Sequence, residues 1–81
     1  MMRADGKLRW QCKRGMRELD ELLARYLDGA YERAPETEKL AFRTLLQVPD
    51  PDLIGYLLGG QLHANPQIAD VIETIRSRPQ A

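Results

Sequence analysis

The chain has 81 residues, 43% apolar and 30% charged, and its twelve cations are matched by twelve acids. Those figures describe one small globular domain and exclude a disordered chain. They also exclude a membrane-inserted protein, since no apolar run approaches the roughly 18 residues that span a bilayer.

The N-terminal stretch is basic. Residues 1–17 hold Arg3, Lys7, Arg9, Lys13, Arg14 and Arg17 against the single acid Asp5, whereas residues 18–81 carry six cations and eleven acids. A basic end on an acidic body points to an anionic partner surface, or to the basic segment lying on its own body. The first thirteen residues lack the apolar core of a secretory leader. Cys12 is alone and has no internal disulfide partner, so the chain is expected in a reducing, cytoplasmic compartment. Cys12 is also separated from the lone His63 by 51 positions, with no third group to orient a thiol–imidazole pair. One cysteine and one histidine supply too few nitrogen and sulfur ligands for a zinc site.

Asp5 can cap a first helix from about Gly6 to Lys13, ended near Gly15. Leu8, Trp10 and Cys12 alternate along it. Cys12 is read as a small half-buried hydrophobe. Trp10 is read as packing on the body, with an interface anchor as the alternative.

The second helix has the clearest pattern. Leu19, Leu22, Leu23, Tyr26, Leu27 and Ala30 recur at steps of three and four, which makes one continuous apolar face. Arg17–Glu21 and Glu21–Arg25 are i,i+4 pairs on the wet side. Gly29 weakens the last turns, and the helix should end by about Arg33, before Ala34-Pro35.

Three later helices are expected to open with proline at the first position, after Ala34, Asp50 and Asn65, with Asp50 and Asn65 as caps. The third turns Leu40, Ala41, Phe42, Leu45 and Leu46 inward. The fourth uses Leu53, Ile54, Tyr56, Leu57 and Leu58, and stops at Gly59-Gly60. The fifth carries Ile68, Val71, Ile72 and Ile75 and frays beyond Arg76. No strand pattern, repeat or low-complexity segment interrupts this. The predicted fold is all-α, a single bundle of about five short helices over residues 1–81.

The stretch that organises the chain is Arg14-Gly15-Met16-Arg17-Glu18-Leu19-Asp20. Gly15 stands between cations at the entry to the strongest helix, where Arg17, Glu18 and Asp20 point wholly or partly away from the apolar stripe. One reading is a corner glycine with solvated charges around it. The other is a charged platform about a bare patch of backbone, suited to docking.

The run Arg9-Trp10-Gln11-Cys12-Lys13-Arg14-Gly15-Met16-Arg17-Glu18-Leu19-Asp20, followed by Asp50-Pro51-Asp52-Leu53, resembles the SdhE/YgfY family of succinate dehydrogenase assembly factors. That family's R-G-x-x-E motif is matched by Arg14, Gly15 and Glu18. Lys13 stands where many members have a second arginine, and Ile54-Gly55-Tyr56 replaces a more aromatic run. The resemblance implies a helical binding module, not an enzyme, which promotes covalent FAD attachment to the flavoprotein subunit of succinate dehydrogenase. Fumarate reductase is a second client it implies.

On that resemblance Arg14 would make charge-assisted contacts to the client, Gly15 would let the two backbones approach, and Glu18 would pair with a client cation or fix Arg14. Met16, Arg17, Asp20, Arg9 and Trp10 complete the expected partner-binding set. The chain is expected to act as a monomer and to hold no FAD tightly, having few aromatics and no phosphate loop. Some family members carry an antitoxin-like label, which leaves a different protein partner as an alternative. Nucleic-acid binding is the weaker alternative: the pI is 6.6, and the aromatics are not interleaved with the cations except at Arg9-Trp10.

Overall fold

The computed structural model describes residues 6–77 as five α-helices: α1 Gly6–Gln11, α2 Arg17–Asp28, α3 Glu36–Leu45, α4 Asp50–Leu57 and α5 Pro66–Ser77. The expected cap at Asp5 lies outside the described residues. Among those described there is no strand, and no helix is long and apolar enough to cross a membrane.

The apolar stripes meet where the periodicities put them. Leu19, Leu23, Tyr26 and Leu27 of α2 pack with Ala41, Phe42 and Leu45 of α3, Leu53 and Leu57 of α4, and Ile68, Val71, Ile72 and Ile75 of α5. Helix α5 lies against α3, α2 and α4 and closes the core. Its start is built as expected: Asn65 Oδ1 accepts the N–H groups of Gln67 at 2.8 Å and Ile68 at 3.2 Å, satisfying donors that no helical carbonyl can reach.

Helix α2 stops sooner than its pattern predicts. It ends at Asp28, and Tyr31–Arg33 forms a separate 3-10 turn. Glycine in a helix costs about 1 kcal/mol relative to alanine, so Gly29 is a weak link. Breaking there lets Tyr31 fold under, where its ring centroid sits 6.3 Å from Tyr26 and 5.5 Å from Phe42. Such edge-on and tilted aromatic contacts add to simple burial.

Four further expectations are corrected. Leu40 is 57% exposed: it lies two residues from Phe42, about 200° round the helix, so the two cannot share a face. Pro35 caps α3 from outside rather than opening it. Asp50 lies within α4, preceded by Pro49, and its side chain caps nothing, because an arginine takes it. Trp10 does not pack on the body; it is 74% exposed.

The Gly59-Gly60 stop is real. Gly60 has φ +75°, and Gln61 N–H reaches back to the Gly55 carbonyl at 2.9 Å. The side chain of Gln61 folds over Gly55, and a Cβ there would stand 2.5 Å from Gln61 Oε1. The departure at Ile54-Gly55-Tyr56 is thus accommodated, with Ile54 and Tyr56 half-buried against the core.

Candidate functional site

The corner between α1 and α2 is fixed by two carboxylates and one guanidinium. Gly15 takes φ +85°, the left-handed region that costs other residues about 1–2 kcal/mol. The turn presents the amides of Arg14 and Gly15 to Asp20, whose Oδ1 accepts from Arg14 N at 2.7 Å and whose Oδ2 accepts from Gly15 N at 3.3 Å. Asp20 stands in the first turn of α2, where a negative charge also complements the helix dipole.

Arg14 points inward. Its Nε donates to the Gln11 carbonyl at 2.8 Å, Nη1 to Asp50 Oδ1 at 2.8 Å and Nη2 to the Leu46 carbonyl at 2.6 Å. One planar fork therefore gathers the end of α1, the end of α3 and the start of α4. The Gln11 and Leu46 carbonyls lie at helix C-termini, where acceptors lack helical partners. Only arginine has three suitably spaced donors. The Arg14 side chain is 15% exposed and Asp50 is 48% exposed. Arg14 is thus committed within its own chain and supports the corner from beneath.

Arg9 is also paired internally. It donates to Asp28 Oδ1 at 2.7 Å, tying α1 to the far end of α2, and Asp28 raises the guanidinium's pKa first through that hydrogen bond and then through its charge. Arg17 pairs with Glu21 at 3.5 Å, whereas Glu21–Arg25 is not formed. Much of the basic segment therefore answers to the acidic body. Lys7 and Lys13 make no ion pair among the described residues.

The outer surface of the corner is open. A Cβ on Gly15 would meet no atom within 4 Å. Beside it runs a groove of about 610 Å³ rimmed by Arg9, Lys13, Gly15, Arg17, Asp20 and Glu21, with Cys12, Ala24 and Leu27 below. Met16 is 37% exposed. Four expected site residues (Arg9, Gly15, Arg17 and Asp20) thus line one groove. Glu18 lies on the opposite flank of α2, exposed and without a hydrogen bond or ion pair among the described residues. It does not fix Arg14; Asp20 and Asp50 do.

No catalytic set emerges at this corner. Cys12 is 3% exposed, and burial pushes its thiol up to about 11, so the reactive thiolate is scarce at neutral pH. His63 is used locally: Nδ1 accepts Asn65 N–H at 2.9 Å, and the ring lies 4.9 Å from Tyr56. Among the described residues no three His, Cys, Asp or Glu side chains come together as metal ligands.

Residues 6–79 match the family described as flavinator of succinate dehydrogenase. The chain is 40% identical over 72 residues to the FAD assembly factor SdhE of Idiomarina loihiensis, covering 89% of this chain and 80% of that protein. It is 42% identical over 72 residues to the protein of the same name from Methylococcus capsulatus, at 89% and 87% coverage. With the Coxiella burnetii protein of that name it shares 40% over 77 residues, at 95% and 90% coverage. No solved structure matches the chain.

Proposed function

This chain belongs to the flavinator family of succinate dehydrogenase, and from that premise we propose that it binds the flavoprotein subunit of that enzyme and promotes covalent attachment of FAD to it. The flavoprotein subunit of fumarate reductase is a second client of the same kind. The observation that carries the reading is the family match across residues 6–79. The open Gly15 corner supports it, because a backbone with nothing within 4 Å of its missing Cβ can be approached by another backbone.

The chain is not itself an enzyme. The bond forms between the flavin and a client side chain, so the chemistry belongs to client and cofactor. A helper accelerates it by holding the client in the productive arrangement, which is worth a large rate factor when reacting atoms are brought to near-attack distance. Gly15 and Glu18 would contact the client, with Arg9, Met16, Arg17 and Trp10 extending the surface. Arg14 and Asp20 hold the corner in shape. The helper works in the cytoplasm as a monomer, makes no use of nucleic acid, and keeps no FAD of its own.

The test pairs capture with chemistry. Affinity purification from the source cell should recover the flavoprotein subunit as the dominant partner. Adding the chain to unflavinylated subunit and FAD should raise the covalent flavin fluorescence of that subunit in a denaturing gel. Recovery of a toxin, ribosomes or a DNA-binding complex in its place, with no gain in flavinylation, would overturn the reading.

A further inference from the structure

The exposed ridge of α2 has a second flank that the motif does not describe. There Leu22 of α2 and Leu58, the residue just after α4, floor a groove of about 290 Å³ whose rim is Glu18, Glu21 and Arg25. Leu58 is 39% exposed. Glu21 is spent on Arg17, which leaves Arg25 and Glu18 without ion pairs among the described residues. They stand seven positions apart on one helix, about 10 Å along its axis at 1.5 Å per residue. An apolar floor thus lies between an unpaired carboxylate and an unpaired guanidinium.

We propose that this second groove is the other half of the client-binding surface, so that the flavoprotein subunit straddles α2. The proposal rests on the client reading given above. One observation selects the client as occupant. Glu21 belongs to the rims of both grooves, so a partner seated on Gly15 reaches the second groove by crossing one side chain. The unpaired charges specify a complementary segment: an apolar side chain over Leu22 and Leu58, a cation beside Glu18, and a carboxylate beside Arg25. In this arrangement Glu18 works from the second groove, while Gly15 works from the first. Arg25 and Leu58 become partner-binding residues that no motif marks.

The experiment measures binding of purified unflavinylated flavoprotein subunit to the full chain and to Arg25→Glu, Leu58→Glu and Gly15→Arg, with thermal melting of each variant alone. Arg25→Glu alters an exposed side chain that makes no bond, so it keeps the test valid even if Leu58→Glu fails to fold. The expected result is a loss of affinity of tenfold or more in Arg25→Glu with only a small drop in melting temperature, since a carboxylate in the last turn of α2 opposes the helix dipole, and a similar loss of affinity in any folded Leu58→Glu. The salt dependence of association should also change in Arg25→Glu, because a rim charge acts mainly on encounter. Wild-type affinity in Arg25→Glu, beside loss of binding in Gly15→Arg, overturns the second groove and leaves the client reading standing. Failure of the unaltered chain to bind the subunit overturns both.

Discussion

Arg14 donates through Nη2 to the carbonyl of Leu46 at 2.6 Å, joining the R-G-x-x-E corner to the end of a helix 32 positions away. The same guanidinium reaches Asp50 through Nη1 at 2.8 Å, so the two short motifs of the chain meet at a single side chain. Arg14→Ala should lower stability by about 2–3 kcal/mol, since charge-assisted bonds are lost and helix-end carbonyls are left unmatched. At about 4–8 °C per kcal/mol for a domain of this size, the melting temperature should fall by roughly 8–24 °C. Asp50→Asn, at a half-exposed position, should cost less than about 1 kcal/mol. Thermal unfolding followed by circular dichroism checks both, and an unchanged melting temperature in Arg14→Ala would show the fork to be idle.

Gly15 and Glu18 separate function from fold. The positive φ at Gly15 means that any side chain there is strained by about 1–2 kcal/mol, but open space means that nothing clashes. Gly15→Arg should therefore remain helical with a modest loss of melting temperature, and should abolish client flavinylation. Glu18→Ala, at an exposed and unbonded position, should be stable to within about 0.5 kcal/mol and should also lose flavin transfer. A fully active Glu18→Ala beside an unfolded Gly15→Arg would assign the motif to the fold alone.

Cys12 sets an alkaline limit. Its folded thiol is held at about 11 against an ordinary value of 9.0, chiefly by burial. Below about pH 9 it is protonated in both states and its contribution to stability is intact. Between 9 and 11 the unfolded chain releases the proton and the folded chain does not, so stability falls, by up to about 1.4 kcal/mol per pH unit. Burial also raises the Tyr26 phenol, which donates to Glu38 at 2.6 Å, and this adds a loss of the same sign above about pH 10. Urea unfolding at pH 8, 9, 10 and 11 should show a decline beginning near 9 in the parent chain and near 10 in Cys12→Ala. Parallel curves for the two would remove the thiol as the cause.

Nucleic acid should not bind. Arg9, Arg14 and Arg17 are each paired with a carboxylate of the same chain, which leaves little cationic surface to displace counterions. Fluorescence anisotropy with duplex DNA and with structured RNA at about 0.15 M salt, where the screening length is about 8 Å, should detect no complex. Sub-micromolar affinity there would restore the rival reading of the basic segment.

The helices could be read from the sequence because each is written locally. The steps from Leu19 to Leu27, the Asn65-Pro66 start and the Ile68–Ile75 stripe depend only on neighbours within a few turns, and all three recur in the structure. The misreadings share a different origin. Ala30 continued the α2 stripe by period, but tertiary packing of Tyr31 against Tyr26 and Phe42 broke the helix at Gly29. Asp50 had the chemistry of a cap and was claimed by an arginine 36 residues away. Trp10 has the size and apolar surface of a packing residue, and nothing local says that Leu8 and Cys12 alone turn inward from that segment. In the site, Gly15 and Glu18 could be picked out as motif letters. The inward commitment of Arg14 could not, since its acceptors at Leu46 and Asp50 are neighbours only after folding.

The place of α5 has a consequence for biosynthesis. This helix packs on α2, α3 and α4, yet it leaves the ribosome after all three. At roughly 5–20 residues per second, the leucine and phenylalanine faces of α2 and α3 stay uncovered for a second or more after their own synthesis ends. Ile68, Val71, Ile72 and Ile75 then cover them together. Until residue 75 has emerged the nascent chain is a set of amphipathic helices in search of an apolar surface, so folding of this bundle waits on its fifth helix rather than keeping pace with synthesis of the other four.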